Sequence, residues 1–159
     1  MSIILGIDPG SNITGFGVIR VENNQLDYIA SGCIRVTEDS VSERLQQVFT
    51  GIQEIQRLYL PTDVAIEEVF FYQNPNTALK LGKARGVAIV AASLVGLPVA
   101  EYSVREIKKA IVGYGAAKKE QIQAMVCRLL KLTDKPQADA ADALAVAICH
   151  AHTKGKRTE

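Results

Sequence analysis

The stretch ILGIDPGSNITGFGVI, Ile4–Ile19, decides the fold. Ile3–Ile7 is a short apolar run closed by Asp8-Pro9-Gly10-Ser11, the pattern of a buried central strand that ends in a turn. Thr14–Val21 then reads as a second strand. Asp8 stands where such a run should be most hydrophobic. Aspartate before Pro-Gly is also ordinary turn chemistry, so this residue alone does not announce a site. Its reading depends on three other carboxylates far away in the chain.

Outward from that stretch, Leu26–Val36 reads as a third strand, joined to the second by a hairpin turn at ENNQ, residues 22–25. Ser40 and Glu43 have the spacing of a capping box. Leu45, Val48, Phe49, Ile52, Ile55 and Leu58 then keep one apolar helical face. Val64–Phe70 reads as another buried strand, and Thr77–Leu94 as a long helix. Gly82 and Gly86 lie one turn apart in that helix. Glycine costs a helix about 1 kcal/mol relative to alanine, so the pair suggests close approach by another backbone. LPVAEY, residues 97–102, is a further strand. Ser103 and Glu106 open a helix to about Val112, GYGAAKKE is a loop, and a helix follows near Lys119–Leu132. A last helix starts around Pro136 and runs to about His152. This order predicts an α/β domain, a mixed sheet covered by helices, over residues 1–153, with a short basic tail, 154–159, expected to be disordered.

Glu67 and Glu68 interrupt the strand Val64–Phe70, and alternation sends them to opposite faces. At most one can therefore join Asp8. If strands one and four are neighbours, both acids lie near the carboxyl ends of their strands, where α/β sheets place sites. Asp139 and Asp142, in PQADAADALA, are three residues apart and share a helix face. Acids near a helix N-terminus are favourable by themselves. Here, however, the surrounding helix is alanine-rich and apolar on every side, so it packs closely on something. Carboxylates held there without countercharge are costly, and a divalent cation removes the cost. Oxygen donors without His or Cys suit Mg²⁺ or Mn²⁺ better than zinc. His150, eight residues past Asp142, reads as a helix-end residue.

The chain has 159 residues, 48% hydrophobic and 22% charged, which fits a folded domain and not a disordered one. No run has the length of a membrane span. The N-terminus lacks the basic flank of a signal peptide. Three scattered cysteines fit a reduced, cytoplasmic chain. Net charge is +1, but unevenly spread: residues 1–79 carry 4 Lys/Arg against 10 Asp/Glu (−6), and residues 80–135 carry 11 against 4 (+7). A basic third of the chain is either a set of solvated helix faces or a phosphate-binding surface.

GIDPGSNITGFGVI, AIEEVFF, ALKLGKARGVAIVAA, IVGYGAAKKEQIQ and PQADAADALAVAICH, in this order and spacing, closely resemble the RuvC family of bacterial Holliday junction resolvases, within the RNase H-like superfamily. The resemblance covers nearly the whole chain. It implies a five-stranded mixed sheet flanked by helices, and a homodimer that nicks two opposed strands of a four-way DNA junction. It also implies the RuvA and RuvB branch-migration proteins as partners, in the bacterial cytoplasm. The family's catalytic and metal-holding acids correspond to Asp8, Glu67, Asp139 and Asp142, with Mg²⁺ expected, two ions per site, and Mn²⁺ a substitute. Its basic residues near the cleaved strand correspond to Lys108 and Lys119, and its stacking aromatic to Phe70. Glu68 is a departure, since relatives can carry glutamine there. Lys80, Lys83, Arg85, Lys109 and Lys118 join Lys108 and Lys119 as expected contacts to DNA phosphates. Two rivals remain: a junction-binding protein without cleavage, and an actin-like ATPase domain. The second requires a partner domain of similar size to enclose its nucleotide.

Overall fold

Ser2–Asp8 forms β1, and its two edges set the architecture. The structure, a computed structural model, describes residues 1–68 and 74–157, the last three by their backbone. On one edge β1 pairs antiparallel with β2 (Ile13–Glu22), which pairs antiparallel with β3 (Gln25–Arg35). On the other edge it pairs parallel with β4 (Asp63–Glu67), which pairs parallel with β5 (Val99–Tyr102). The sheet therefore has the order β3-β2-β1-β4-β5. The helices are α1 (Val41–Tyr59), α2 (Pro75–Ser93), α3 (Val104–Val112), α4 (Lys119–Leu129) and α5 (Ala138–Arg157). This is the mixed five-stranded sheet with flanking helices that the sequence predicts.

Local chemistry explains the punctuation. Asn23 and Asn24 both take positive φ, 51° and 62°, the conformation a two-residue hairpin needs to match strand twist. Ser40 Oγ accepts from Glu43 N–H at the start of α1. At α3 the full capping box forms: Ser103 Oγ accepts from Glu106 N–H, and Ser103 N–H donates to Glu106 Oε1. The strand expected over Val64–Phe70 ends at Glu67, and residues 69–73 lie outside the described part.

Alternation along the strands divides the core in two. Leu5, Ile7, Val18, Val64 and Ile66 pack with α1 and α2. Ile4, Ile19 and Ala65 pack with α3, α4 and α5. On this second face α5 lies directly on the strands. A Cβ added at Gly6 would fall 2.1 Å from the Ala143 carbonyl oxygen, and one added at Gly15 would fall 2.0 Å from that of Asp139. No side chain fits in those gaps, so glycine lets helix backbone meet strand backbone. Gly82 and Gly86, where approach by another backbone was expected, make no such contact within this chain. A Cβ at either would meet nothing within 4 Å, because both lie on the outer side of α2.

The far end of α5 is tied as well. Lys154 Nζ lies 3.0 Å from both carboxylate oxygens of buried Asp63 at the start of β4. Burial alone would raise the Asp63 pKa, but hydrogen bonds from Lys154 and Thr62 and the Lys154 charge together hold it below the usual range. His150 Nδ1 and the Tyr102 hydroxyl share a 2.8 Å hydrogen bond, with His150 Nε2 3.5 Å from Asp63. These ties correct two expectations. His150 is buried within the helix, not at its end. Residues 154–157, expected in a disordered tail, continue α5, because Lys154 gains a buried carboxylate partner that solvent does not offer.

Gly15→Ala tests the backbone contact. It is expected to cost about 1–3 kcal/mol, read as a fall of roughly 2–4 °C in Tm per kcal/mol for a chain of this size. An unchanged melt would refute the contact.

Candidate active site

Asp8 is the last residue of β1, and the parallel register that pairs Ile7 with Ile66 sets Glu67 beside it. Both side chains lie on the α5 face, in step with Ile4 and Ala65. Glu68 is exposed and Glu67 half-buried, so of the two neighbouring acids only Glu67 faces the site, as alternation requires. In the antiparallel register Asp8 stands opposite Gly15. Gly15 is also where the Asp139 carbonyl touches the sheet, so the first turn of α5 is delivered to Asp8. Asp8, Asp139 and Asp142 each offer a carboxylate oxygen, all within 4.8 Å of one another. Glu67 joins the cluster through a side-chain hydrogen bond with Asp8.

Four acids in half-buried surroundings repel one another. Burial, then the charge and hydrogen bond of Glu67, then Asp142 and Asp139 push the Asp8 pKa up to about 9. Glu67 is raised by burial and Asp142, with its hydrogen bond to Asp8, Lys119 and Lys108 acting the other way. Asp142 is raised by burial, offset in part by Lys119, whose Nζ lies 3.2 Å from Asp142 Oδ2. Asp142 in turn raises the Lys119 pKa. The donors are all carboxylate oxygens, and among the described residues no His or Cys lines the cavity of about 410 Å³ they share. That set fits a hard divalent cation.

The expected basic residues divide into three groups. Lys108 and Lys119 line the acid cavity, and the exposed Lys109 and Lys118 adjoin them in the chain, on α3 and at the N-cap of α4. Lys80 and Lys83 line a separate cavity of about 400 Å³ near α1, together with Ser11 and Asn12. Arg85 is engaged elsewhere. Its guanidinium pairs with Glu101 and donates to the Glu67 carbonyl, so it clamps β4 to β5 instead of facing solvent. Phe70 lies outside the described residues.

Sequence reasoning missed Arg44. Its guanidinium donates to the Ser11 carbonyl at 2.9 Å, to Asn12 Oδ1 at 2.7 Å and to the Glu38 carbonyl at 3.0 Å. These bonds pin the turn that follows Asp8. No spacing signal marks a contact made across more than thirty residues.

The Asp8 pKa is raised on folding, so between about pH 4 and its folded value near 9 the folded chain binds more protons than the unfolded one. Stability therefore falls as pH rises through that window. In chelator, Asp8→Asn is expected to melt at least about 2–4 °C higher than the parent at pH 8, with the gap closing near pH 4. A gap that does not depend on pH would contradict the clustered acids.

Comparison of the whole chain places it among known proteins. A profile of the family described as crossover junction endodeoxyribonuclease RuvC matches residues 4–150. A crossover junction endodeoxyribonuclease RuvC of Shewanella sp. (strain W3-18-1) is 60% identical, over 97% of this chain and 89% of its own. That of Tolumonas auensis is 59% identical over the same shares. The structure of T. thermophilus RuvC in complex with Holliday junction substrate superposes with a TM-score of 0.93 at 33% identity, covering 99% of this chain and 98% of that one. The yeast mitochondrial Holliday junction resolvase Ydc2 shares the fold, at TM-score 0.71 and 11% identity, over 98% of this chain and 81% of that one. With the profile spanning both Asp8 and the Asp139–Asp142 pair, the chain belongs to the RuvC family of crossover junction endodeoxyribonucleases.

Proposed function

We propose that this chain resolves four-way DNA junctions, cutting opposed strands to leave 5′-phosphate and 3′-hydroxyl ends. One observation carries the reading: carboxylates from β1, β4 and α5 converge in one cavity whose rim holds Lys108 and Lys119. Asp8, Glu67, Asp139 and Asp142 are the residues that would hold Mg²⁺, two ions per site, with Mn²⁺ as a substitute. Such ions neutralise phosphate charge, lower the pKa of a bound water and stabilise a leaving 3′-oxygen. The chain itself supplies orientation. Strand register fixes Asp8 against Glu67, the Gly15 contact fixes Asp139, and Arg44 and Arg85 hold the adjoining backbone. Lys119, already paired with Asp142, stands ready to offset charge that develops on the phosphate, and Lys108 shares that role. Lys109 and Lys118, with Lys80 and Lys83 at the second cavity, would contact backbone phosphates and make affinity salt-dependent.

Two opposed nicks require two such sites, which a two-fold dimer provides. The outer face of α2 supports a second copy there. Leu79 and Val90 are exposed in line with Gly82 and Gly86, and Leu94 is exposed at the C-cap. Such an apolar stripe marks a contact surface, and its glycines leave room for a backbone to approach. RuvA and RuvB, in the bacterial cytoplasm, are the partners this reading implies.

A magnesium-dependent nicking assay on a synthetic four-way junction, against linear duplex, tests the activity. Asp8→Asn is expected to lower nicking by at least about 100-fold while junction binding persists. Parental rates in that variant would refute the assignment, and a parent that binds the junction without cutting it would leave only the binding reading. Gly82→Leu is expected to weaken dimerisation, seen by sedimentation velocity as a shift toward monomer; an unchanged profile would remove α2 from the interface.

A further inference from the structure

We propose that Tyr114 and its loop form a seat for an unpaired nucleobase of the DNA strand, beside the acid cavity. The inference rests on the nuclease reading above and adds a second contact to it. The chain leaves α3 at Gly113, whose φ of 91° lies in the left-handed region that favours glycine. Tyr114 follows and is 48% exposed, so the core does not need its ring. At Gly115 an added Cβ would fall 2.7 Å from Arg105 Cγ; glycine there lets the Arg105 stem lie against the loop. Val104, Arg105, Tyr114, Gly115 and Ala116 line an open cavity of about 520 Å³. Val104 also lines the acid cavity, so a single side chain borders both.

The occupant follows from charge and shape. Residues 104–119 carry Arg105, Lys108, Lys109, Lys118 and Lys119 against Glu106 alone, and Glu106 is engaged in capping α3. Among the described residues, Lys119 is the one of these five cations with an ion-pair partner. An apolar, aromatic seat with Arg105 in its wall, sharing Val104 with a cavity that holds Lys108 and Lys119, suits a flat apolar group carried on a polyanion. A base on a DNA strand is such a group. Aromatic stacking accepts any base, because every base presents a π-face, and the adjacent Arg105 adds cation–π attraction. The seat would hold a base near the scissile phosphate out of the duplex, and so position that phosphate over the acids.

The test uses the full chain with four-way junctions that carry 2-aminopurine at single positions around the nick. Binding by the parent is expected to quench the probe at one position. Tyr114→Ala is expected to abolish that quench and lower kcat/KM for nicking about tenfold, a loss of one stacking contact. Tyr114→Phe should restore the quench, since the ring is what stacks. Both variants should melt with the parent. Parental quenching and kcat/KM in Tyr114→Ala would overturn the seat. So would equal losses in Tyr114→Phe and Tyr114→Ala, which would assign the effect to the hydroxyl. If the parent binds and quenches through Tyr114 without cutting, the nuclease reading falls and the seat stands. If the parent cuts and Tyr114→Ala matches it, the seat alone falls.

Discussion

The contact between the backbone of α5 and the backbones of β1 and β2 is the constraint on which the rest depends. Gly6 and Gly15 have no Cβ, and at each the space a Cβ would occupy is taken by a helix carbonyl. A side chain in either place would lift α5 by ångströms and carry Asp139 and Asp142 away from Asp8. Because the contact sits at the first turns of α5, the acids are delivered as a consequence of packing. Apolar burial, which supplies most of the drive to fold, thereby also holds like charges together.

That arrangement works against stability. Half-buried carboxylates within 4.8 Å of each other disfavour one another's charge, and with burial they push the Asp8 pKa up. The fold offsets the strain at a distance. Lys154 and His150 anchor the C-terminal half of α5 to Asp63 and Tyr102, where the charges are complementary. Arg44 fixes the turn after Asp8, and Arg85 fixes the backbone at Glu67. A site held open in this way remains preorganised for a cation and a phosphate, which is where its electrostatic cost becomes useful.

The positive charge is arranged by the same logic. Lys108 and Lys119 stand on α3 and α4, packed beside α5, so they face the acids across one cavity. Lys80 and Lys83 lie near α1 and bound a different cavity. The uneven charge along the chain thus becomes two separate basic surfaces at the end of the sheet where β1 and β4 finish.

The order of elements, the alternation that separates Glu67 from Glu68, and the pairing of Asp139 with Asp142 on one helix turn were all legible in the sequence, because each follows from a local period. The capping box at Ser103 and the Asn23–Asn24 hairpin were legible for the same reason. What local periods cannot encode is which element meets which. The sequence singled out Gly82 and Gly86, on the outer side of α2, and gave no sign that Gly6 and Gly15 meet the backbone of α5. It ended α5 near His152, while a buried Asp63 drew the helix on through Lys154. It gave no sign that Arg85 pairs with Glu101 and donates to the Glu67 carbonyl. Each difference comes from a partner dozens of residues away, and only the packed chain brings such partners into contact.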